Sequence, residues 1–189
     1  ELDDAERDEM IQTISQEGQD VLHLVEDLLA TARADAGELA VTAVSVNLRA
    51  QAAQVLESLD AKSVTGISLQ GNSVRAIGDP TRVRQILRNL VSNALRYGGD
   101  DIEIVVATEG NAAVVTVSDD GPAIPPDDVE RIFQPYQRSS AGRATTASVG
   151  LGLSVSRQLA RLMGGSLVYR HDRGRSSFRL ALPMRALDA

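Results

Sequence analysis

One helix constrains the fold of this 189-residue chain more than any other segment. Asp79 provides an N-cap residue, Pro80 suits the first helical position, and Gly98 follows Tyr97, the last residue predicted to be helical. The apolar residues between these limits recur at helical spacing and fall on one side: Val83, Ile86, Leu87, Leu90, Val91, Ala94 and Leu95. An apolar face of this length must be buried against another layer of secondary structure.

The other side of this helix carries a row of polar side chains. Four of them fall within about 80° of one another on a helical wheel: Gln85, Asn89, Asn93 and Arg96. Amide oxygens suit a hard cation such as Mg²⁺, and a guanidinium suits phosphate. A solvated polar face is the simpler interpretation of the wheel taken by itself.

The remaining pattern mixes helices with short strands. Further helices are predicted from Leu48 to Leu59 and from Gly152 to Met163, and a short one from Pro125 to Phe133. Strands are predicted at 67–70, 74–77, 102–106, 114–118, 166–170 and 177–182. Because regular βαβ alternation is absent, we expect an α/β (α+β) chain. Its architecture would be a two-layer sandwich of a mixed, mostly antiparallel sheet and about three helices.

The first segment has a different character. Residues 1–38 carry twelve acidic side chains against two basic ones. Apolar residues and Gly18 alternate there at spacings of three and four, which is typical of a long helix in a coiled coil or bundle: Ile11, Ile14, Gly18, Val21, Val25, Leu28 and Ala32. We therefore predict a helical segment over 1–38 that needs a partner helix, a linker over 39–46, and a folded domain over 47–189.

Composition excludes several classes of function. The absence of cysteine excludes thiolate catalysis and cysteine zinc sites, and two histidines, His23 and His171, disfavour a histidine metal site. Residues 39–189 carry 17 basic and 14 acidic side chains and few aromatics, so we expect no nucleic-acid partner. No apolar run approaches the ~18 residues of a membrane span. We expect a cytoplasmic chain that makes no membrane contact itself and, since it starts at Glu1 rather than Met, belongs to a longer protein.

Two glycine-containing motifs follow the amphipathic helix. In Asp119-Asp120-Gly121-Pro122-Ala123-Ile124-Pro125 a predicted strand runs into a turn. An acid at a strand end can accept a hydrogen bond from an exocyclic amine, although the same residues are typical of any turn. Gly150-Leu151-Gly152-Leu153 precedes a helix, where bare backbone amides bind anions. Neither a P-loop nor a dinucleotide fingerprint matches.

The order of these motifs resembles that of a known family. Asn-x3-Asn-x2-Arg-Tyr, Asp-x-Gly-x-Ala-Ile-Pro, Ile-Phe-Gln-Pro-Tyr-Gln-Arg and Gly-Leu-Gly-Leu resemble the N, G1, F and G2 boxes of sensor histidine kinases. These kinases share a superfamily with the gyrase, heat-shock chaperone and mismatch-repair ATPases. The resemblance covers about residues 44–184 and implies a Bergerat-type ATP-binding fold. The preceding helix resembles the second helix of the dimerisation and phosphotransfer hairpin.

The resemblance also implies roles for individual residues. Asn89 would ligate Mg²⁺ with Gln85 beside it, Asp119 would read the adenine amino group, and Arg96 would act near the phosphates of ATP. The residues implied to bind nucleotide are Asn89, Asn93, Arg96, Tyr97, Asp119, Gly121, Ala123, Ile124, Phe133, Arg138, Gly150, Leu151, Gly152 and Leu153, with Arg143 as a further candidate. Residues 137–149 would form a lid that is disordered without nucleotide.

The chemistry at Asn89 distinguishes transfer from hydrolysis. The hydrolysing cousins have a glutamate at this position that acts as general base, whereas an amide cannot accept the proton of water. We therefore expect slow hydrolysis of ATP and transfer of the γ-phosphoryl to a histidine. The implied partners are ATP or ADP, the dimerisation and phosphotransfer helix of a homodimeric parent, and a response regulator.

The match to the family is imperfect. His23 lacks the acid that follows the family's acceptor histidine, and His171 lies in a predicted turn from Arg170 to Gly174, so we expect the acceptor outside this chain. Ala123 replaces the second glycine of the G1 box, and Val149 stands where threonine is common. Two alternatives stay open, namely a degenerate, nucleotide-insensitive regulatory module and an anti-sigma-type serine kinase.

Overall fold

The computed structural model divides the chain into two compact units, Glu1–Leu39 and Ala40–Ala189. The structure describes residues 40–59, 64–137 and 150–184 without interruption. In the first unit it describes Asp3, Arg7, Met10, Ile11, Ile14, Gly18, Val21, Leu22, Val25, Glu26, Leu28, Leu29, Ala30, Ala32 and Arg33.

The first unit is helical at every described position from Arg7 to Arg33, as its apolar spacing predicts. The large apolar side chains described there are about half exposed or more: Met10, Ile11, Ile14, Val21, Leu22, Val25, Leu28 and Leu29. Among the described residues of both units, no helix is long and apolar enough to cross a membrane.

A five-stranded mixed sheet forms one layer of the second unit. Its strands are β2 (Ile67–Gly71), β4 (Ile102–Glu109), β5 (Ala112–Asp119), β6 (Ser166–Asp172) and β7 (Arg175–Pro183), in the spatial order β2-β4-β5-β7-β6. The β2–β4 pair is parallel, and the other three pairs are antiparallel. The prediction of a mixed, mostly antiparallel sheet is confirmed.

A second, two-stranded sheet joins the strand predicted at 74–77 to a strand that begins in the predicted linker. β1 (Val44–Asn47) pairs antiparallel with β3 (Arg75–Gly78). A strand of four residues is too short to display an alternating pattern, and tertiary contact decides its conformation. Val46 is buried, and the Asn47 side chain caps the helix that follows by accepting a hydrogen bond from the backbone N–H of Ala50.

Among the described residues of this unit, three helices of ten or more residues form the other layer. They are α1 (Leu48–Glu57), α2 (Pro80–Tyr97) and α3 (Gly152–Leu162). The short helix predicted from Pro125 to Phe133 is instead a pair of 3₁₀ turns, Pro126–Asp128 and Arg131–Phe133. The Asp128 carboxylate, almost fully buried, accepts a hydrogen bond from Arg131 across the break between them.

The core lies where the three helices pack on the sheet. Six of the seven apolar residues predicted on α2 are buried, and Leu95 is the exception at 39% exposure. From the sheet and α3, the core receives Ile104, Val106, Val115, Val117, Val155, Leu159, Leu180 and Leu182, all nearly inaccessible to solvent. The predicted amphipathic helix therefore organises the domain, although its apolar face ends one residue earlier than the wheel indicates.

Replacing Asp79 by alanine should lower the free energy of unfolding by about 1–2 kcal/mol, the usual cost of losing a helix cap. Asp79 Oδ1 accepts hydrogen bonds from the backbone N–H groups of Thr81 (2.9 Å) and Arg82 (3.2 Å), and Oδ2 accepts one from Thr42 (3.1 Å). Urea denaturation measures the change. Asp172→Ala, which removes an exposed carboxylate in β6, is the control. Equal losses of unfolding free energy in both variants would contradict the capping role.

Candidate functional site

Asn89 joins α2 to the start of α3. Its Nδ2 group donates hydrogen bonds to the backbone oxygen of Gly152 (3.1 Å) and to Oγ of Ser156 (3.2 Å). Ser156 is fully buried, so this anchor is held rigidly. Both bonds use the nitrogen of the amide, and Oδ1 accepts no hydrogen bond from any described residue. The two motifs that contain Asn89 and Gly152 thus lie together, with an amide oxygen left for a ligand.

The first turn of α3 offers backbone amides. No described side chain caps this helix at its N-terminus, and Leu151 immediately before it is buried. The hydroxyl of Ser154 donates to the carbonyl oxygen of Leu151 (2.7 Å) rather than accepting from an amide. The N–H groups of Gly152 and Leu153 are therefore available to an anion beside Asn89.

The segments on either side of residues 138–149 are fastened to each other. The backbone N–H of Tyr136 donates to the carbonyl oxygen of Gly150 (3.0 Å). Gly150 has φ +75°, and a Cβ there would lie 2.8 Å from the carbonyl oxygen of Gln137, so glycine is required on both counts. Arg138, Arg143 and Val149 lie outside the described residues, as does the predicted disorder of the lid.

Asp119 lies at the end of β5, beside the C-terminal end of α2. Its carboxyl is buried, and Oδ1 accepts a hydrogen bond from the backbone N–H of Gly121 (3.0 Å). A Cβ on Gly121 would lie 2.6 Å from Cα of Gly98, and a Cβ on Gly98 would lie 2.8 Å from Cβ of Asp119. The two glycines let the end of the helix approach the carboxylate, whose Oδ2 accepts no hydrogen bond from any described residue.

Burial has an electrostatic consequence for Asp119. Desolvation raises the pKa of its carboxyl above the ordinary value, although the hydrogen bond from Gly121 opposes the shift. A carboxylate that stays charged at neutral pH in this setting costs stability. A buried carboxyl with a shifted pKa is typical of a functional site rather than of a structural role.

This pKa shift predicts a pH-dependent stability difference between Asp119→Asn and the wild type. The wild-type folded state binds the Asp119 proton at a higher pH than the unfolded state does, so its stability falls as pH rises through that range. The variant should therefore be more stable than the wild type at neutral pH. Its advantage should shrink as pH falls, and it should vanish below the ordinary aspartate pKa of about 3.9, where the carboxyl is protonated in both states. Urea denaturation of both proteins from neutral to acidic pH measures this difference in stability. A stability advantage of the variant that grows toward acidic pH would contradict the raised pKa of Asp119.

The segment after Asp119 is held by two residues that sequence reasoning missed. The backbone N–H of Ile124 donates to the Tyr169 hydroxyl (2.9 Å), which lies 2.9 Å from Oγ of Ser176. Ser176 is buried and also donates to the carbonyl oxygen of Pro122 (3.3 Å). These partners are 45 and 54 positions apart in sequence, and no local pattern signals such contacts.

His171 and Gln85 differ from their predicted settings. His171 belongs to strand β6 rather than to a turn, although it is exposed as predicted, and its Nδ1 lies 3.3 Å from Oγ of Ser176. Gln85 is buried, and its Oε1 accepts a hydrogen bond from Arg82 (3.0 Å). The interpretation of this side of α2 as a solvated face is therefore wrong for Gln85, because packing of α2 within the domain covers the start of the row.

The other residues of the row lie further along α2. Asn93 and Tyr97 are half-buried, and Arg96 is exposed in the last turn. Tyr97 is the final helical residue and directly precedes Gly98, which meets Asp119. The row thus leads from the start of α3 at Asn89 to the buried carboxylate at the far end of the helix.

Phe133 lies in a cluster of side chains apart from Asn89 and Asp119. Its ring packs edge-on against Phe178 with centroids 6.3 Å apart, and the Arg157 guanidinium lies 4.6 Å above it. Arg157 also forms an ion pair with Glu130 (2.8 Å), and this hydrogen bond holds the pKa of Glu130 below its ordinary value. Phe133 therefore fixes the 3₁₀ turns to α3 and the sheet, and its described contacts do not reach Asn89 or Asp119. His23 lies outside the described residues.

Comparison with known proteins agrees with the arrangement of motifs. The profile of the family described as Histidine kinase-, DNA gyrase B-, and HSP90-like ATPase matches residues 78–186. The signal transduction histidine-protein kinase AfsQ2 of Streptomyces coelicolor is 34% identical over 163 residues, which cover 85% of this chain and 30% of AfsQ2. The chain thus spans less than a third of the length of this relative.

Solved structures agree on the fold. Acinetobacter baumannii histidine kinase AdeS has a TM-score of 0.72 at 21% identity, covering 98% of this chain and 87% of that chain. Full-length ShkA in complex with AMPPNP has a TM-score of 0.69 at 26% identity, covering 100% of this chain and 41% of that chain. The family profile spans more than half of the sequence, and the chain belongs to the family of histidine kinase-, DNA gyrase B- and HSP90-like ATPases.

Proposed function

We propose that the chain is the ATP-binding catalytic domain of a sensor histidine kinase, which transfers the γ-phosphoryl of Mg·ATP to a histidine outside this chain. One observation carries the proposal. The amide nitrogen of Asn89 is anchored to the start of α3, the same uncapped end that carries the N–H groups of Gly152 and Leu153. A candidate metal ligand and a candidate anion cradle therefore meet at the start of α3.

The two ends of the site suit the two ends of a nucleotide. Asp119 has an acceptor oxygen for the amino group of adenine, and the amides at the start of α3 suit phosphate. Asn89 and Tyr97 are eight positions apart in the helix, or about 12 Å along its axis. An extended nucleoside triphosphate bridges a span of this order.

The residues present also fit Mg²⁺ bound with ATP. Among the described residues, no cluster of acids and histidines could hold a metal ion by itself. Mg²⁺ commonly takes one or two protein ligands together with substrate phosphates and water. Oδ1 of Asn89 would supply such a ligand, with Asn93 one turn away. Gln85 would serve only if its oxygen left Arg82, to which it is bonded.

The side chain at position 89 favours transfer over hydrolysis. An amide accepts no proton from water, so the chain lacks a general base at Asn89. Catalysis would rest on positioning the phosphoryl group and neutralising its charge, to which the α3 amides, Arg96 and Mg²⁺ would contribute. We therefore expect bound ATP to be long-lived until an acceptor histidine is supplied.

Calorimetric titration with ATP and ADP, with and without Mg²⁺, is the first test. We expect both nucleotides to bind, ATP more tightly with Mg²⁺ than without it, and we expect little release of inorganic phosphate. Transfer is then measured with γ-labelled ATP and a dimerisation hairpin that carries an acceptor histidine. Acid-labile label on the hairpin supports a histidine kinase, whereas acid-stable label on serine would favour the anti-sigma-type alternative. No heat at millimolar nucleotide would favour a regulatory module.

Ala123→Gly should change the affinity for ATP by less than about threefold. Ala123 is exposed and is not among the described residues with positive φ, so its methyl group neither fills the interior nor strains the backbone. The alanine that departs from the family's G1 box is therefore compatible with nucleotide binding. Calorimetry of the variant measures the change, and a gain of tenfold or more would mean that Ala123 weakens the site.

The wider role of the chain follows from the same proposal. The helical segment, with its exposed apolar side chains, would join a partner helix in a homodimeric parent. The parent would pass phosphate to the aspartate of a response regulator. ATP is the substrate, so the chain would act on the cytoplasmic side of the cell envelope, in a parent that other segments anchor in the membrane.

A further inference from the structure

A closed set of hydrogen bonds ties the loop after Asp119 to strands β6 and β7. Ser176 Oγ has one proton, which it donates to the carbonyl oxygen of Pro122. The Tyr169 hydroxyl must then donate to Ser176, which leaves its own oxygen to accept from the N–H of Ile124. Nδ1 of His171 lies 3.3 Å from Ser176 Oγ, and because Ser176 has no second proton, a hydrogen bond here requires the tautomer that carries its proton on Nδ1. Every proton in the set has one consistent direction.

The strands hold this set rigidly. The ring of Tyr169 packs against Phe178 with centroids 5.3 Å apart, and the two residues are register partners in the β6–β7 pair. Ser176 is 4% exposed and is the register partner of His171. The two hydroxyl groups therefore hold the loop at two backbone positions. Ser176 binds the carbonyl oxygen of Pro122, and Tyr169 binds the N–H of Ile124.

We propose that Tyr169 is a positioning residue for nucleotide binding, which fixes the backbone of residues 122–124 and so the Gly121 amide that orients Asp119. The proposal rests on the function proposed above. It assigns Tyr169 no contact with the nucleotide, since its hydroxyl is already engaged on both sides. Its effect should fall on the adenine end of the site and be the same for ATP and ADP.

Tyr169→Phe tests the proposal, because it removes the hydroxyl and keeps the ring on Phe178. We expect the affinities for ATP and ADP to fall by the same factor, about fivefold, as for the loss of one neutral hydrogen bond. Without nucleotide, the Ile124 amide should exchange its hydrogen at least about tenfold faster, as measured by NMR. Ser176→Ala should act in the same direction, and the double variant should bind no more weakly than the weaker-binding single variant.

Ser177→Ala is the matched control, since this neighbour on β7 donates to the Arg170 carbonyl oxygen and leaves the loop alone. It should change neither the affinity nor the exchange at Ile124. Faster exchange with unchanged affinity in Tyr169→Phe would overturn the positioning role, as would unchanged exchange. Unequal losses for ATP and ADP would also overturn it. A wild-type chain that binds no nucleotide would overturn the proposed function first, and this inference with it.

Discussion

The affinity for ATP should fall by about two orders of magnitude when Asp119 is replaced by asparagine. Oδ1 of Asp119 is committed to the N–H of Gly121, so the other position of the side chain is the one that faces a ligand. In the variant that position is an NH₂ group, which meets the amino group of adenine donor to donor. Losing a charged hydrogen bond in a buried site typically costs about 1.5–3 kcal/mol, or about 10- to 150-fold in affinity.

Asp120→Asn provides a matched control for this loss. Asp120 is the adjacent acid, but its Oδ1 accepts a hydrogen bond from the backbone N–H of Asp101 (3.0 Å) and serves the neighbouring turn. We expect its affinity to stay within about threefold of the wild type. Calorimetry compares the three proteins, and equal losses in both variants would mean that net charge rather than the Asp119 hydrogen bond determines binding. The Asp119 variant should bind poorly while being the more stable protein at neutral pH, which separates the binding defect from unfolding.

Asn89→Ala should reduce phosphoryl transfer by at least about 100-fold, the scale at which single electrostatic groups act on a reacting phosphate or oxyanion. The variant removes the proposed ligand of Mg²⁺ and the hydrogen bonds to Gly152 and Ser156. Binding of ATP without Mg²⁺ should change much less, because adenine recognition lies at the C-terminal end of α2, about 12 Å along the helix from Asn89. The measurements are label transfer from γ-labelled ATP and the difference in affinity with and without Mg²⁺, which the variant should lose.

Ser156→Ala separates the metal ligand from its support. It removes one partner of the Asn89 nitrogen, whereas Oδ1 of Asn89 and the bond to Gly152 remain. We expect a loss of transfer of about tenfold or less, with the Mg²⁺ dependence of binding retained. If Ser156→Ala were as damaging as Asn89→Ala, the amide would act by holding α2 to α3 rather than as a ligand.

Much of the candidate site was predictable because its signals are local. The cap at Asp79, the apolar spacing of α2 and the end of that helix at Gly98 each act within a few residues, so their structural effect can be read from the chain. The motif that contains Asp119 was also recognisable. The structure agrees on these elements and places Asn89 beside Gly152 and Asp119 beside Gly98.

Other features had no local signal. β1 has four residues and depends on its partner β3, and Gln85 is buried because other elements of the domain pack around α2. His171 continues strand β6 because it pairs with Ser176 on β7. In each case a partner distant in sequence decides the outcome, and single-chain periodicity cannot anticipate it.

The sequence by itself determined helices α1, α2 and α3, the order of the motifs and the side chains able to bind phosphate, metal and adenine, since each depends on spacing within one segment. Tertiary structure alone decided which of those side chains meet and what supports them. The buried setting of Asp119, the direction of the Asn89 amide and the hydroxyls of Tyr169 and Ser176 under the binding loop all depend on packing between elements. Burial and hydrogen-bond geometry arise only when those elements come together.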